Sequence, residues 1–259
     1  MSQYYFIGSV LPGLSFEVPP EIHFLELDVL LRDNLSQKDY QKTKAIRRFF
    51  DILNLRALWL NEKMDPHGEM NALQIEEALI TGGGLPDYIF DFLARYDSIE
   101  ERLKHFPFLL ANFFKHAQHN KDPFLRDYFK FERELRLVTT GFRAKKLGRD
   151  LNLELQYEDP EEDIILELIS RNNAKVFEPP EKYEEIKSIF EKFGDDPLML
   201  QKALDEYRFN FIDQLVDMPD FFSIERILAY MVQLIIVEKW FELDKVEGMK
   251  IVDIIVNKG

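Results

Sequence analysis

Three histidines lie close together in the sequence and could supply metal ligands. His116 and His119 would share one face of a helix, and His105 precedes them. Imidazole nitrogens are common ligands of Zn²⁺ and related ions. No third ligand follows at a convincing spacing, and Asn120 and Lys121 mark the end of the helix. Solvated histidines near a helix C-terminus, where the helix dipole favours cations, are the alternative.

The run Gly82-Gly83-Gly84 could let backbone N–H groups approach a phosphate. A phosphate-binding P-loop also needs Lys and then Ser or Thr after its last glycine, whereas Leu85-Pro86 follows here. The run therefore indicates the end of a helix and a turn. The chain has no cysteine, which excludes thiol nucleophiles and thiolate zinc sites. No Ser-His-Asp order or nucleophile elbow is specific enough to indicate a hydrolase, so we expect no enzyme activity and no cofactor.

Acidic residues are densest between Asp150 and Glu167, where no Lys or Arg interrupts them. Paired carboxylates can bind Mg²⁺ or Ca²⁺, but the spacing of a calcium loop with its required glycine is absent. A solvated acidic face that caps helices is the alternative. The eight acids are Asp150, Glu154, Glu158, Asp159, Glu161, Glu162, Asp163 and Glu167.

A basic run directly precedes this acidic segment. Such a face on an acidic protein could bind an acidic partner helix or anionic lipid headgroups. It could equally be a solvated face with internal pairs such as Glu132 with Arg136. The run consists of Arg126, Lys130, Arg133, Arg136, Arg143, Lys145, Lys146 and Arg149.

Composition limits the remaining classes of function. The 259 residues carry a formal net charge of −14, which makes a nucleic-acid partner unexpected because such affinity comes from Lys and Arg. The first residues lack a basic stretch, so we expect no signal peptide. The longest apolar stretch without a charge, Ile227 to Val237, is shorter than the roughly 20 residues of a membrane span. The 23 Phe, 10 Tyr and 2 Trp suit a core built from crossing helices.

The pattern of helix starts and apolar spacing predicts an all-α fold. Ser36 and Ser98 have capping-box spacing to an acid, and the steps Asp122-Pro123, Asp159-Pro160 and Asp196-Pro197 each predict a helix start. Gly82 and Gly148 predict helix ends. The alternation of Leu151, Leu153 and Leu155 would suit a strand, but no pairing strand is evident. The predicted helices are 37–61, 71–80, 86–95, 107–117, 123–147, 161–169, 181–193, 197–217 and one after Pro219, capped by Ser223 and running towards Leu243.

Three segments resemble the C subunit of V-type ATPases, whose eukaryotic counterpart is the d subunit. Residues 4–12 read YYFIGSVLP, residues 49–56 read FFDILNLR and residues 223–230 read SIERILAY. Tyr128-Phe129 leading to Glu134-Leu135-Arg136 weakly repeats the second segment. The opening and the Asn-Leu-Arg helix are most similar to divergent C-like proteins encoded in bacterial V-type ATPase operons. The C-terminal helix departs from the family by having KWFE at 239–242.

The resemblance implies three related helical modules around a pseudo-threefold axis, in a cup or funnel. The modules would cover 1–104, 105–180 and 181–259. In that family the cup is a non-catalytic socket that couples the rotating stalk to the membrane rotor ring during ion transport. The implied partners are V-type central-stalk subunits and the ring, with peripheral association on the cytoplasmic face of the membrane. The implied partner-binding residues are Asn54, Arg56, Arg136 and Arg143.

Other interpretations remain open at the level of sequence. Arg56 could simply pair with Glu62 or another acid. A helical adaptor or scaffold unrelated to the ATPase would have the same helix content and acidity without threefold internal symmetry. An enzyme that uses the Asp150–Glu167 carboxylates and a divalent ion is a third possibility.

Overall fold

The computed structural model describes residues 3–171, 177–216 and 222–256, with side chains up to residue 245. Throughout these residues the regular structure is helical and no strand occurs, which confirms the predicted all-α class. A 3₁₀ turn covers Glu181–Tyr183. The α-helices are α1 Tyr5–Val10, α2 Phe24–Asn34, α3 Gln37–Leu60, α4 Ala72–Thr81, α5 Asp87–Arg95, α6 Ile99–Lys104, α7 Phe106–Ala117, α8 Pro123–Leu147, α9 Leu151–Glu154, α10 Asp163–Ser170, α11 Glu184–Phe193, α12 Pro197–Gln214 and α13 Ile224–Val256.

Most helix boundaries follow the local signals in the sequence. The Ser98 hydroxyl accepts a hydrogen bond from the Glu101 N–H, completing a capping box at α6. The carboxylates of Asp122 and Asp196 accept from backbone N–H groups of the first turns of α8 and α12. Gly82 and Gly148 end α4 and α8 at φ of 69° and 64°, a left-handed conformation that glycine adopts without steric cost.

One prediction near residue 155 is wrong. Asp159 does not start a helix, because its carboxylate accepts from the N–H of Glu161 and forms a turn, and α10 begins only at Asp163. The leucine alternation belongs to α9, where Leu151 and Leu155 are buried and Leu153 is 63% exposed. A helical turn places residues four apart on the same side, so Leu151 and Leu155 share a face in a helix as they would in a strand, whereas Leu153 lies on the opposite side.

The helices α1 and α2 were not predicted. His23 precedes α2 without a typical capping side chain, although Glu26 accepts from the His23 backbone N–H at 2.9 Å. The predicted C-terminal helix begins as expected after Ser223 but continues to Val256. Asp217 and Pro219, which bounded two predicted helices, lie outside the described residues.

The chain divides into two compact units, which share the helices α3 and α11. The first comprises Met1–Thr43 and Ile189–Gly259. In it α13 packs on α12 and α2, and the apolar stretch Ile227–Val237 forms much of its core, with Leu228 and Val237 fully buried. This burial explains why so apolar a stretch occurs in the chain. No helix within the described residues is both long and apolar enough to cross a membrane.

The second unit, Lys44–Ser188, is organised around α7. The ring of Phe113 on α7 lies 5.5 Å from that of Phe49 on α3 and 5.4 Å from that of Phe129 on α8. On α8, Gly141 makes room for Phe177, since a Cβ atom at position 141 would lie 2.2 Å from the Phe177 ring. The phenylalanine-rich sequence thus supplies interlocking rings where helices cross. The proposed three modules, 1–104, 105–180 and 181–259, stay a prediction.

Candidate partner-binding site

The four predicted partner-binding residues lie on two helices of the second unit. Asn54 and Arg56 belong to α3, and Arg136 and Arg143 to α8. Each pair combines one side chain that is engaged inside the protein with one that is exposed to solvent. The distinction decides which of them a partner protein could contact directly.

Asn54 is buried and holds the loop that follows α3. Its side-chain Nδ2 donates to the carbonyl of Asp65 at 2.9 Å, and its Oδ1 accepts from the Asp65 N–H at 2.7 Å. These reciprocal bonds mimic a backbone pair and fix the loop between α3 and α4. Gly68 fits beside them, because a Cβ there would come within 2.8 Å of Asn54 Nδ2 and of Asp51 Oδ1. Asn54 therefore positions the loop and is not itself available to a partner.

Asp51, one turn before Asn54, is fully buried against the same loop. Its Oδ1 accepts from the Met70 N–H at 3.0 Å, and Arg48 Nε lies 3.8 Å from its Oδ2. Burial raises the pKa of Asp51, although the backbone N–H of Met70 and the charge of Arg48 work in the opposite direction. Asp51 Oδ2 and Glu69 Oε2 are both buried without a hydrogen-bond donor among the described residues. The loop is thus attached to α3 by a polar network that includes two incompletely satisfied carboxylates.

Arg56 is exposed at the outer face of α3. Within the described ranges it forms no ion pair, so the alternative that it pairs with Glu62 is not observed. Its guanidinium is therefore free to meet a carboxylate on another molecule. Guanidinium groups bind carboxylates with two parallel hydrogen bonds, which makes such a contact directional.

Arg136 is engaged internally, next to Arg133. Arg133 donates to Glu158 from Nε at 3.0 Å and Nη2 at 2.7 Å, and to Glu162 from Nη1 at 2.6 Å. Arg136 forms a further ion pair with Glu158, and its guanidinium lies 5.4 Å from the centre of the Phe114 ring. The side chains of Arg133 and Glu158 are 7% and 5% exposed. We call these four charged residues, Arg133, Arg136, Glu158 and Glu162, the arginine–glutamate cluster.

The environment shifts the pKa values of Arg133 and Arg136 in opposite directions. Burial lowers the pKa of Arg136, and the charge of Glu158 offsets this only in part. Burial also acts to lower the pKa of Arg133, but two glutamates outweigh it and the pKa is raised. Both groups stay charged at any physiological pH, because arginine titrates far above it.

The cluster changes the interpretation of the charge pattern in the sequence. The acidic segment was expected to be solvated or to bind a divalent ion, and the basic run to face a partner or solvent, but at Glu158 and Glu162 the two segments meet each other. The turn at Asp159 brings both glutamates towards α8. Of the basic run, Lys130 and Arg143 remain exposed, while Arg126 pairs with Asp127 at 3.1 Å and Arg149 with Glu154 at 3.4 Å. Arg143 is thus the predicted residue of α8 that is open to a partner.

Glu134 occupies the position on α8 that corresponds to Asn54 on α3. It is buried, accepts a hydrogen bond from the Tyr183 hydroxyl at 2.7 Å and forms an ion pair with Lys182. Leu55 and Leu135, the next residues of the two helices, are both buried. The two related sequence segments therefore do the same structural task, each holding a later segment with a buried polar side chain.

The three histidines do not converge. His116 and His119 each bond through Nδ1 to the carbonyl four residues earlier, at 2.8 and 2.7 Å. His105 stacks on Tyr96 at 4.3 Å between ring centres. No group of three potential metal ligands occurs in the described part of the chain, and the Asp150–Glu167 carboxylates form none.

A cavity of about 290 Å³ lies in the first unit, between residues 8–14 and the helices α12 and α13. Arg226, Ile227 and Tyr230, from the segment 223–230 that carries part of the family resemblance, form part of its wall. Arg226 pairs with Asp213 at 2.9 Å. The Tyr230 hydroxyl is buried without a hydrogen-bond partner among the described residues, and burial together with the charge of Glu21 raises its pKa to about 12.

Comparison with known proteins places the chain in a family. Residues 1–258 match the family model described as "Protein of unknown function (DUF2764)". The chain belongs to this family. It is 32% identical over 221 residues to an uncharacterized protein of Chlamydia trachomatis, with 83% of each chain covered. Similar proteins occur in Chlamydia muridarum, 30% identical with 88% of each chain covered, and Chlamydia pneumoniae, 33% identical with 82% covered. No solved structure matches the chain.

Sequence reasoning did not find Glu134, Asp51 or the pairing of Arg133 with Glu158. A signal existed for the first two, since each is an acid on the apolar face of a long helix, and a charge is rare there unless it has a partner. The pairing carried no such signal, because it depends on how the chain after Gly148 returns to α8.

Proposed function

We propose that this DUF2764 protein is a non-catalytic member of the central stalk of a V-type ATPase and couples the rotating stalk to the membrane rotor ring. The observation that carries the proposal is the matching role of the two related segments on α3 and α8. Phe49 and Phe129 stand at the same position in these segments and contact the same ring, Phe113. Asn54 and Glu134 likewise both anchor a later segment. This is the relation expected of repeated modules, and it supports the pseudo-threefold cup that the resemblance implies.

The construction of the second unit suits a part that transmits torque. Close-packed interiors have low compressibility and transmit strain. The interlocked rings around Phe113 resist sliding between α3, α7 and α8, and the arginine–glutamate cluster ties the segment after α9 to α8. A coupler of this kind works by shape and charge and needs no reacting group of its own. Its association with the membrane would be peripheral, on the cytoplasmic face.

Arg56 and Arg143 are the direct partner contacts in this proposal, whereas Asn54 and Arg136 position the structure behind them. An exposed guanidinium without an internal partner favours an acidic group on the stalk or ring. Contacts of this type contribute to orientation and association rate through charge complementarity.

Co-purification tests the proposal. The tagged protein, expressed in its source organism, is isolated from detergent-solubilised membranes, and the bound proteins are identified. We expect head, stalk and ring proteins of a V-type ATPase in stoichiometric amounts. In membranes that lack the protein, ATP hydrolysis should continue while ATP-driven ion transport is lost. A protein that is recovered without any V-type ATPase component would contradict the proposal and favour an unrelated helical adaptor.

Charge reversal then tests the contact residues. The double variant Arg56→Glu, Arg143→Glu should reduce the recovered ATPase at least about tenfold, corresponding to 1.4 kcal/mol. Lys38→Glu is the matched control, because Lys38 is an exposed cation on α3 without an internal partner in the described chain. Equal recovery with both proteins would remove Arg56 and Arg143 from the interface and leave the rest of the proposal intact.

A further inference from the structure

Exposed large apolar side chains occur on both of the helices α1 and α2, which pack against each other. Phe6 and Val10 on α1 are 59% and 46% exposed, and Leu25 and Val29 on α2 are 63% and 53% exposed. Each pair is four residues apart and therefore lies on one side of its helix. We call these four residues the α1–α2 surface.

The exposed residues of α2 are additional to its core face. Phe24, Leu27 and Leu31 are buried and suffice to attach the helix to its unit. Leu25 and Val29 lie on a flank beside that core face, where a polar residue would satisfy the fold equally well. Scattered single apolar residues on a surface need no explanation, but paired ones on two packed helices mark an interaction site.

Most exposed charges near this surface are acidic. Glu17, Glu21, Glu26 and Asp33 are exposed. Arg32, three residues after Val29 on α2, is 60% exposed, and its charge is balanced by an ion pair with Asp28 at 2.8 Å. An apolar strip with acidic neighbours complements an apolar helix face that is bordered by Lys or Arg.

This complementarity selects among the candidate occupants. A symmetric contact with a second copy would place acidic groups opposite acidic groups, and the formal net charge of −14 adds to the repulsion. Anionic lipid is repelled for the same reason. We infer that the α1–α2 surface binds a basic amphipathic helix of a partner protein. The inference goes beyond the proposed function and stands or falls separately from it.

Photo-cross-linking in the source organism tests this inference. A photoreactive benzoylphenylalanine replaces Leu25 in one strain and Leu73 in another. Leu73 is a matched control, because it is 73% exposed on α4 of the other unit. We expect position 25, and not position 73, to cross-link to a helical segment with an apolar stripe bordered by Lys or Arg. No cross-link, or one to an acidic segment, to lipid or to a second copy of this chain, would overturn the inference.

Binding of the identified segment as a synthetic peptide completes the test. The variant Leu25→Asp, Val29→Asp should bind it at least about tenfold more weakly, whereas Leu73→Asp, Ile80→Asp should bind as the wild type does. The affinity should fall as NaCl rises from about 50 to 300 mM, since surface charges are screened over this range. Equal affinities for both variants, or an affinity independent of salt, would overturn the inference. If the partner is not part of a V-type ATPase, the surface stands and the proposed function is still decided by the co-purification experiment. If the Leu25→Asp, Val29→Asp variant still co-purifies fully with the ATPase, the proposed function stands without this surface.

Discussion

Asn54 on α3 and Arg133 on the related helix α8 each hold a later segment of the chain, but by different physical means. Asn54 on α3 uses a neutral amide and two hydrogen bonds to the backbone of Asp65. On α8 the same region uses charge, with Arg133 bound to Glu158 and Glu162. A buried amide that is fully bonded leaves no charge behind when the contact opens, whereas a buried ion pair leaves an uncompensated charge. The Arg133 contacts should therefore be the more sensitive to loss of one partner, and the Asn54 contact the less sensitive to salt.

The largest effect is expected from Glu158→Gln. This change keeps the shape of the side chain but leaves the buried guanidinium of Arg133 with Glu162 alone. We expect the free energy of unfolding to fall by about 3 kcal/mol, as for a broken buried ion pair. Urea denaturation measures it. Glu154→Gln, which removes only the exposed pair with Arg149, should cost less than about 1 kcal/mol, and equal costs would show that the arginine–glutamate cluster is not the stabilising element.

Asn54→Ala should have the second-largest effect. It leaves the N–H and carbonyl of Asp65 without their buried partner, at a cost of about 2 kcal/mol. The cost should be the same in low and high salt, because no net charge is involved. Limited proteolysis should cut the loop between α3 and α4 more quickly in the variant. Arg56→Ala, two residues away and exposed, should change stability by less than about 0.5 kcal/mol; a larger change would mean that Arg56 is structural and would weaken its assignment to a partner.

The acids that precede α8 and α10 can be compared in the same way. Asp122→Ala removes the side chain that accepts the Leu125 N–H at 3.2 Å and should cost about 1 kcal/mol. Asp159→Ala removes an acid that closes only a turn and should cost clearly less. Thermal unfolding followed by circular dichroism measures both. A larger loss at Asp159 would mean that the turn holding Glu158 and Glu162 matters more than the start of α8.

The smallest effect concerns pH and Asp51. Because burial raises the pKa of this group, the folded protein binds its proton more tightly than the unfolded chain does. The free energy of unfolding should therefore decrease as the pH rises from the unfolded pKa, about 4, through the raised folded value, and should not recover above it. In Asp51→Asn this decrease should be absent, so the stability of the wild type relative to this variant should decline across that window.

Local features of the fold were predictable from the sequence, and features that depend on distant chain segments were not. Ser98, Asp122, Gly82 and Gly148 act on neighbouring residues, so their types alone locate helix boundaries. Asp159 is followed by proline, as Asp122 is, and the prediction there was wrong. Glu158 and Glu162, on either side of this step, pair with Arg133 of α8, and the chain between them forms a turn.

The candidate site shows the same division. Arg56 is exposed and Asn54 is buried, although the two residues belong to one short motif. Their roles differ because the loop at Asp65 folds back onto Asn54 and not onto Arg56. The apolar pairs of α1 and α2 were visible as residue types, but helical spacing alone does not tell a core face from an exposed flank.

The slot that Gly141 leaves for Phe177 has a consequence for biosynthesis. Phe177 is 1% exposed and its ring lies 4.8 Å from that of Phe142. Since the ribosome delivers the chain from its N-terminus, α8 is synthesised before the ring that fills this slot. A nascent chain that stalls between these two points carries an open, water-facing apolar notch on its longest completed helix. Such a chain is a natural client for a holding chaperone until the missing aromatic residue emerges.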